Sequence, residues 1–181
     1  MPPGFDVKRF NRWAATYDRS VMQKWYFGPV HSRMLNLVEK EKRAESPHDI
    51  IDVGCGTGRL LRAASRRWPQ AHLFGVDPAE RMISEAERLS PNVTFRVGPA
   101  ELLPLPDQAA DLIVSSLSFH HWHDQSKGLQ EISRVLRPGG LLCLADLTSS
   151  RVQELIHGVG LKVVRHQRLW SRFVLITLAQ K

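Results

Sequence analysis

The chain has 181 residues, and its 43% hydrophobic and 24% charged content excludes an intrinsically disordered protein and predicts one soluble globular domain. A formal net charge of +7 allows an anionic partner, although the basic residues are scattered along the sequence rather than collected in one run. The sequence lacks a signal peptide and the ~18 apolar residues of a membrane span, and its two cysteines form no C-x-x-C pair, which together predict a cytoplasmic protein without thiolate zinc.

The first 45 residues predict a helical cap. Half of the aromatic residues precede position 28, so this segment is expected to cover another surface. A polar connection, residues 39–48, is expected to lead from the cap (1–45) into a core domain (46–181). Two apolar stripes recur at helical spacing and predict two helices, one with Val7, Phe10, Trp13, Ala14 and Tyr17 and one with Val30, Met34, Leu37 and Val38.

From residue 49 onward, short apolar runs alternate with helical patterns. In the last of these helices Asp124 is a candidate N-cap, and Pro138-Gly139-Gly140 is expected to end it. The alternation predicts right-handed βαβ crossovers and a doubly wound α/β sheet. The runs are apolar throughout, as is typical of buried parallel strands, and they cover 49–53, 71–76, 92–97, 110–116 and 140–146.

The C-terminal region differs from this alternation. After a short predicted helix, two strand-like runs, 161–170 and 172–180, are separated by little more than Ser171. This spacing predicts an antiparallel hairpin at one edge of the sheet.

A glycine-rich turn, DVGCGTGRL (52–60), lies where the first strand meets a helix. Its glycines let the backbone approach a ligand, and the helix start offers free N–H groups to a polar or anionic group. Arg59 breaks the G-x-G-x-x-G spacing of dinucleotide-binding proteins, which disfavours a nicotinamide oxidoreductase, and no G-K-[S/T] of a P-loop is present. Asp77, after the second strand, can accept hydrogen bonds from ribose hydroxyls, and it can also cap the helix that begins at Pro78.

Three histidines occur in LSFHHWHDQ (117–125), at the end of the fourth strand. A metal site can be drawn from His121, His123 and Asp124, but a strand end and a helix cap would point these side chains apart, so we predict no metal. A histidine here is a suitable general base, because its unperturbed pKa lies near neutrality. His121 is the first candidate and His120 the second, with shaping of a pocket as the alternative role, and His123 is expected at the surface.

Four arginines follow the glycine-rich turn, and they have two possible explanations. Leu60, Leu61 and Ala64 mark the buried side of the same helix, so the arginines are interpreted as its solvated face. Binding of an anionic partner is the alternative. The arginines are Arg59, Arg62, Arg66 and Arg67.

Several segments in this order resemble the class I S-adenosylmethionine (SAM)-dependent methyltransferases, especially the branch that contains ubiquinone and menaquinone biosynthesis methyltransferases. The resemblance covers residues 48–146, and residues 10–18 also resemble the N-terminal cap of that branch. It implies a Rossmann-like, seven-stranded sheet, mostly parallel with an antiparallel last strand. The segments are DVGCGTG, GVDPAERMI, VGPAELLPLPDQAADLIVSSLSFHHW and EISRVLRPGG, with FNRWAATYD in the cap.

The resemblance also implies a cofactor site. Gly54, Cys55 and Gly56 would line the methionine part of SAM, and Asp52 would orient its ammonium through the loop. Asp77 would hold the ribose, Met82 would pack on the adenine, and Tyr17 would close over the site. The full set of expected cofactor-binding residues is Tyr17, Asp52, Gly54, Cys55, Gly56, Gly58, Asp77, Pro78, Met82, Ala100, Glu101, Ser116 and Leu117.

Two departures from the family pattern bear on function. Relatives usually carry aspartate where this chain has Pro99, and that carboxylate contacts the adenine amino group, so SAM binding is expected to be retained but weaker. Relatives also insert tens of residues after the fifth strand, whereas here Asp146 is followed almost directly by a helix, so the N-terminal segment and the histidine loop must build the acceptor site.

The expected function is transfer of a methyl group from SAM to a small hydrophobic or aromatic acceptor, with S-adenosylhomocysteine as product. The alternatives are a nucleic acid or protein acceptor and a SAM-binding scaffold without turnover.

Overall fold

The computed structural model describes residues 5–42, 45–148, 151–169 and 173–181, apart from the side chains of residues 5, 6, 23 and 24. The helices are α1 (Phe5–Tyr17), α2 (Gly28–Lys42), α3 (Arg59–Arg67), α4 (Glu80–Leu89), α5 (Gln125–Val135) and α6 (Arg151–Gly158), with a π-helical turn (Gln23–Phe27) before α2 and a 3₁₀ turn (Phe119–His121) before α5. The strands are β1 (Asp49–Val53), β2 (His72–Asp77), β3 (Thr94–Val97), β4 (Ala110–Ser116), β5 (Leu136–Leu147), β6 (Lys162–Arg168) and β7 (Val174–Gln180).

The seven strands form one sheet in the order β3-β2-β1-β4-β5-β7-β6. The first five pair in parallel, and β7 is antiparallel to both β5 and β6. This topology confirms the predicted mostly parallel sheet with an antiparallel last strand. The expected turn at Ser171 lies outside the described residues. The order reverses between β1 and β4, and ligands of doubly wound sheets bind at the carboxyl side of such a switch point.

The predicted strands agree with the structure to within two residues at each end, except that β5 begins four residues earlier than predicted. β1 and β4 have the predicted bounds, and Asp124 caps α5 by accepting a 3.0 Å hydrogen bond from the Lys127 N–H. α5 ends at Val135, before Pro138-Gly139-Gly140, and these three residues belong to β5 rather than to a loop. The strand tolerates Pro138 because the β4–β5 register shifts between Ala110 and Leu112, which interrupts the ladder there.

The N-terminal segment divides into two parts. The apolar stripe of α2 is buried in the main core with Leu60, Leu61 and Ala64 of α3. α2 continues to Lys42, so the first four residues of the predicted polar connection (39–48) are helical, and Lys40 and Lys42 in its last turn suit the negative end of the helix dipole. α1 instead packs on α4, where Ala14 contacts a small separate cluster. No described helix is both long and apolar enough to cross a bilayer.

Candidate active site

A cavity of about 640 Å³ opens at the carboxyl ends of β1, β2 and β4, and we call it the glycine-loop cavity. It lies at the switch point of the sheet. Twelve expected site residues line it: Tyr17, Gly54, Gly56, Asp77, Pro78, Met82, Ala100, Glu101, Ser116, Leu117, His120 and His121. The wall also includes residues for which the sequence predicted no individual cofactor contact, namely Val7, Phe10, Ala79, Pro99, Ser118, Trp122 and His123.

The glycine-rich turn forms one side of this cavity because two of its positions require glycine. Gly54 and Gly56 have φ angles of 77° and 52°, in the left-handed region. A Cβ on Gly54 would lie 2.3 Å from Ser118 Oγ, so the loop and the chain after β4 approach each other too closely for any side chain. No described atom lies within 4 Å of a Cβ position on Gly56, which faces open space.

Asp77 organises the loop from the end of β2. Its two carboxylate oxygens accept hydrogen bonds of 2.8 Å from the backbone N–H groups of Gly56 and Ala79. The sequence left open whether Asp77 caps a helix or faces a ligand, and the structure shows it both joining the loop to the start of α4 and lining the cavity. Burial raises the pKa of Asp77 to about 6, although the two N–H donors oppose that shift.

Three expected residues lie behind the cavity wall. Asp52 is buried in β1, and burial, with the nearby charge of Asp77, raises its pKa well above the usual range. Cys55 directs its thiol into the hydrophobic core, where burial raises the pKa of the thiol. Gly58 lies against the ring of Phe95, which a Cβ would meet at 2.9 Å. Gly54 and Gly56 are therefore the expected residues of the turn that line the cavity, while these three lie behind them.

The far end of the cavity is shaped by residues around Pro99. Glu101 lines the wall, and its carboxylate accepts a 2.9 Å hydrogen bond from the Asp124 N–H, which fixes the start of α5. Trp122 also lines the wall, and its indole N–H donates to Ser118 Oγ at 3.3 Å. Trp122 lies in the histidine loop, which the sequence predicts to build the acceptor site, but its ring carries no titratable group that would predict an individual role.

The histidine loop begins with a strained residue. Leu117 has φ of 53°, which is uncommon for a non-glycine residue, and its N–H donates to Ala145 O at 2.7 Å. The turn directs the chain from β4 into the 3₁₀ turn that carries His120 and His121. His123 is exposed, as predicted, although it also lines the outer cavity wall.

The two neighbouring histidines have different surroundings. His120 Nδ1 lies 2.6 Å from Oδ1 of Asp146, a 3% exposed carboxylate at the carboxyl end of β5. The His121 ring lies against the His120 ring, with centroids 3.9 Å apart and the planes tilted by 44°, and it meets the Phe10 ring edge-on at 5.3 Å. In the part of the chain that the structure describes, no group of three or more His, Cys, Asp or Glu side chains is arranged to hold a metal ion.

A second cavity of about 530 Å³ adjoins the first, and we call it the aromatic cavity. It shares Phe10, Tyr17, Leu117, His120 and His121 with the glycine-loop cavity. α1 and the π-helical turn supply most of its wall, in agreement with the expectation that the N-terminal segment builds a second site. Its remaining lining residues are Arg9, Trp13, Thr16, Ser20, Met22, Tyr26, Phe27 and Leu147.

The end of α1 is tied to the glycine-rich turn through Asp18. Its carboxylate accepts hydrogen bonds of 2.5 Å from Thr57 Oγ1 and from the Arg62 guanidinium, and it lies 3.7 Å from Arg59. Thr57 belongs to the turn itself, so α1 is fastened to the loop that borders the glycine-loop cavity. Sequence reasoning did not assign a role to Asp18, although it closes the segment FNRWAATYD that resembles the family cap.

The methyltransferase domain family matches residues 51–144. A malonyl-[acyl-carrier protein] O-methyltransferase of Hahella chejuensis is 36% identical over 84% of this chain and 54% of its own length. A demethylmenaquinone methyltransferase of Deinococcus radiodurans is 34% identical over 59% of this chain and 46% of its own. The chain thus spans about half the length of the curated relatives that it matches.

Solved structures share the fold at low sequence identity. A SAM-dependent methyltransferase from Aquifex aeolicus superposes with a TM-score of 0.72 at 19% identity, over 97% of this chain and 98% of that one. The [4+2]-cyclase SpnF gives a TM-score of 0.74 at 18% identity, over 82% and 80% of the two chains. The family match, the sheet topology and the glycine-rich turn at its switch point together show that the chain belongs to the class I SAM-dependent methyltransferases.

Proposed function

We propose that the chain binds SAM in the glycine-loop cavity and methylates a small hydrophobic or aromatic acceptor in the aromatic cavity, with S-adenosylhomocysteine as product. The observation that carries this proposal is that the two cavities meet along shared residues, with His120 at the junction. A cofactor cavity at the family's switch point and an aromatic cavity beside it suit transfer of a group between two bound molecules.

The residues around the glycine-loop cavity fit SAM. Asp52 Oδ1 and Ser116 Oγ are buried polar atoms without a hydrogen-bond partner among the described residues. Buried polar groups are almost always hydrogen-bonded, so a ligand with donor and acceptor groups suits this position. The open space over Gly56 leaves room for such a ligand beside the loop backbone. These features support a methionine-binding role for Asp52, Gly54, Cys55 through its backbone, Gly56 and Ser116.

The other end of the cavity would hold the nucleoside. Each Asp77 oxygen accepts one N–H and keeps a further lone pair for a ribose hydroxyl. Met82, with Pro78 beside it, offers an apolar surface for the adenine, and Ala100 and Glu101 border its edge. Pro99 supplies no carboxylate, and the Glu101 carboxylate already accepts the Asp124 N–H. We therefore expect the adenine amino group to be bound more weakly than in relatives that have aspartate at this position.

Bound SAM supplies an electrophilic methyl group on a sulfonium, so the protein's own contribution is orientation of the acceptor, exclusion of water and removal of a proton. Tyr17 and Phe10 stand in both cavities and would cover the junction from α1. The 2.5 Å contacts of Asp18 hold that helix against the loop, which limits access of water to the junction.

We propose His120, rather than His121, as the general base. The contact between His120 Nδ1 and Asp146 directs the other ring nitrogen, Nε2, away from the carboxylate and leaves it able to accept a proton. Asp146 acts as a positioning residue, because it orients the imidazole and stabilises the imidazolium that forms. His121 packs on Phe10 and would shape the wall.

The aromatic cavity supports an acceptor with an apolar body and an ionisable hydroxyl. Trp13, Tyr26 and Phe27 supply aromatic surface, and about 530 Å³ suits a small molecule. Two relatives, by their names, methylate oxygen of an acyl-carrier-bound malonyl group and act on demethylmenaquinone. A base beside an aromatic cavity favours a phenolic oxygen as the acceptor atom.

The proposal is tested by calorimetric titration with SAM and S-adenosylhomocysteine, followed by measurement of S-adenosylhomocysteine release with a panel of small phenols. Saturable one-to-one binding and phenol-dependent turnover are expected. Absence of binding at millimolar SAM would overturn the cofactor assignment. Turnover only with a polynucleotide or protein acceptor would overturn the small-molecule assignment, and binding without turnover on any acceptor would favour a scaffold.

A further inference from the structure

A third cavity, of about 570 Å³, lies between α2 and α3, and none of its described lining residues belongs to the two cavities above. We call it the arginine cavity. Its polar wall consists of Arg59, Arg62, Arg66 and Arg67 from α3, with His31 and Ser32 from α2. Residues 59, 62 and 66 lie three and four positions apart and therefore share one side of the helix.

The structure shows Arg66 exposed, as a solvated face requires, and the other three arginines partly enclosed. The side chains of Arg59, Arg62 and Arg67 are 30%, 22% and 26% exposed, which is low for surface arginines. α2 packs beside α3 and encloses them, because its stripe of Val30, Met34 and Val38 shares the core with the buried side of α3. The sequence pattern predicted which side of α3 is buried. It did not predict that α2 would lie beside the arginines on the other side.

Positive charge in the arginine cavity exceeds the negative charge paired with it. Asp18 faces Arg59 and Arg62, and Glu39 lies 3.4 Å from Arg67. Arg66 forms no hydrogen bond or ion pair with any described residue. Asp18 and Glu39 therefore pair with Arg59, Arg62 and Arg67, and exposed Arg66 stands at the cavity wall without a described carboxylate partner.

The buried imidazole of His31 is a second observation that supports ligand binding in the arginine cavity. It is only 8% exposed, it lines the cavity, and its ring nitrogens form no hydrogen bond within the described part of the chain. Burial, together with the charges of Arg59 and Arg62, lowers the pKa of His31 to about 4. The ring is therefore neutral at physiological pH and carries one N–H that can donate to an acceptor in the cavity.

We propose that the arginine cavity is a binding site for a phosphate group, separate from the SAM site. Guanidinium groups match phosphate oxygens with paired donors, and a buried neutral imidazole and the Ser32 hydroxyl add uncharged donors. Arg66 has no described ionic partner, and Arg59, Arg62 and Arg67 line the same cavity. The ligand is a phosphate ester or diphosphate, whether it is a free metabolite or part of a polynucleotide backbone.

The test is calorimetric titration of the whole chain with inorganic pyrophosphate. One saturable site is expected, and Arg66→Glu should weaken it at least roughly tenfold, the effect of losing one charge-assisted hydrogen bond. Arg88→Glu makes the same charge change on α4, where exposed Arg88 pairs with Glu85, and should change the affinity less than roughly twofold. Absence of saturable pyrophosphate binding, or equal weakening by the two variants, would overturn the proposal.

Two further measurements separate specific binding from misfolding and from the SAM site. His31→Gln keeps a donor without charge and should weaken pyrophosphate binding severalfold, whereas Arg66→Lys should retain part of the affinity. All variants should keep the SAM affinity of the parent chain. Loss of SAM affinity together with pyrophosphate affinity in Arg66→Glu would contradict a separate site.

A single-stranded oligonucleotide then identifies the source of the phosphate. An oligonucleotide that competes with pyrophosphate and responds to Arg66→Glu but not to Arg88→Glu supports the site and indicates a polynucleotide ligand. Binding that weakens equally in both variants and leaves pyrophosphate in place is general attraction to the basic surface. In that case a free phosphate ester is the ligand, provided that pyrophosphate binding depends on Arg66.

Discussion

His120 Nδ1 lies 2.6 Å from Asp146 Oδ1. Asp146 is buried at the end of β5, and its carboxylate holds His120 at the junction of the two cavities. If His120 removes the acceptor proton, His120→Asn should lower kcat by about 10²- to 10⁴-fold and leave the SAM dissociation constant unchanged. Asp146→Asn should lower kcat less. The release of S-adenosylhomocysteine measures both effects.

The positioning role of Asp146 predicts non-additive effects. The double variant His120→Asn/Asp146→Asn should be hardly slower than His120→Asn alone, because Asp146 acts through the imidazole. His157→Asn is the matched control and should retain the parent kcat, since His157 is exposed on α6 and is not among the residues that line the two cavities. Additive losses in the double variant would count against a histidine–aspartate unit.

The aromatic cavity predicts a separation of acceptor binding from cofactor binding. Phe27→Ala should raise the KM for an aromatic acceptor roughly tenfold, because it removes apolar contact area from the cavity wall, and should leave SAM affinity unchanged. Trp25→Ala is the control in the same π-helical turn. Trp25 is 71% exposed, and it is not one of the described residues that line the aromatic cavity. Equal effects of the two changes on KM would argue against the aromatic cavity as the acceptor site.

Asp77 predicts a pH dependence of stability with a defined sign. Its pKa in the folded chain is about 6, above the ordinary value of 3.8, so folding favours its protonated form. Its contribution is fully present below about pH 4 and is lost as the pH rises through about 6, with a total of about 3 kcal/mol. Chemical denaturation between pH 4 and pH 7 should show that Asp77→Asn loses this part of the pH dependence.

Asp111 is the control for that titration. Burial alone would raise its pKa, but hydrogen bonds from Arg137 and from the backbone N–H groups of Asp49 and His48 lower it below 3.8. Its stabilising contribution is therefore lost only as the pH falls below the window used for Asp77. Asp111→Asn should leave the slope between pH 4 and pH 7 unchanged, and a slope that stays the same in Asp77→Asn would contradict the raised pKa of Asp77.

The close approach of Gly54 to Ser118 predicts a large cost for any side chain. Gly54→Ala should lower the free energy of unfolding by about 3 kcal/mol or more, because the new Cβ would both occupy a left-handed conformation and overlap Ser118 Oγ at 2.3 Å. Gly160→Ala separates the two causes, since Gly160 has φ of 80° with no described atom within 4 Å of the Cβ position. It should cost about 1 kcal/mol in the same denaturation experiment.

Asp18 predicts that the cap and the glycine-rich turn lose stability together. Asp18→Asn should lower the free energy of unfolding by about 1 to 2 kcal/mol, because half-buried Arg62 loses its charged acceptor. It should also speed hydrogen exchange of α1 amides and raise the KM for the acceptor. Asp107→Asn, which removes an exposed partner of Arg134, should cost less than about 0.5 kcal/mol. Unchanged exchange in α1 after Asp18→Asn would show that this contact does not hold the cap.

Local sequence patterns predicted the sheet because its central strands are buried on both faces and read as uninterrupted apolar runs. Ile50, Ile51 and Val53 illustrate this in β1. The N-cap at Asp124 was also predictable, since its partner, the Lys127 N–H, lies only three residues away. Secondary-structure elements, and contacts between residues a few positions apart, can therefore be predicted from local sequence.

Contacts between distant segments were not predictable from the same patterns. Asp146 reaches His120 only because β4 and β5 pair in parallel with Ser116 opposite Ala145, a register that no local pattern fixes. The sequence alone favoured His121 over His120 as the base, and the contact with Asp146 is the reason that we propose the reverse order. The enclosure of Arg62 and the inward thiol of Cys55 have the same origin, since each depends on what packs against the element from elsewhere in the chain.

The carboxylate of Asp18 accepts hydrogen bonds from both Thr57 and Arg62, and it therefore couples the N-terminal cap to the glycine-rich turn. α1 therefore cannot lift without releasing the loop, and an acceptor that enters under α1 meets a loop already fixed in place. We expect an ordered sequence in which SAM binds first and S-adenosylhomocysteine leaves last. Inhibition by S-adenosylhomocysteine that is competitive against SAM and noncompetitive against the acceptor would be its kinetic signature.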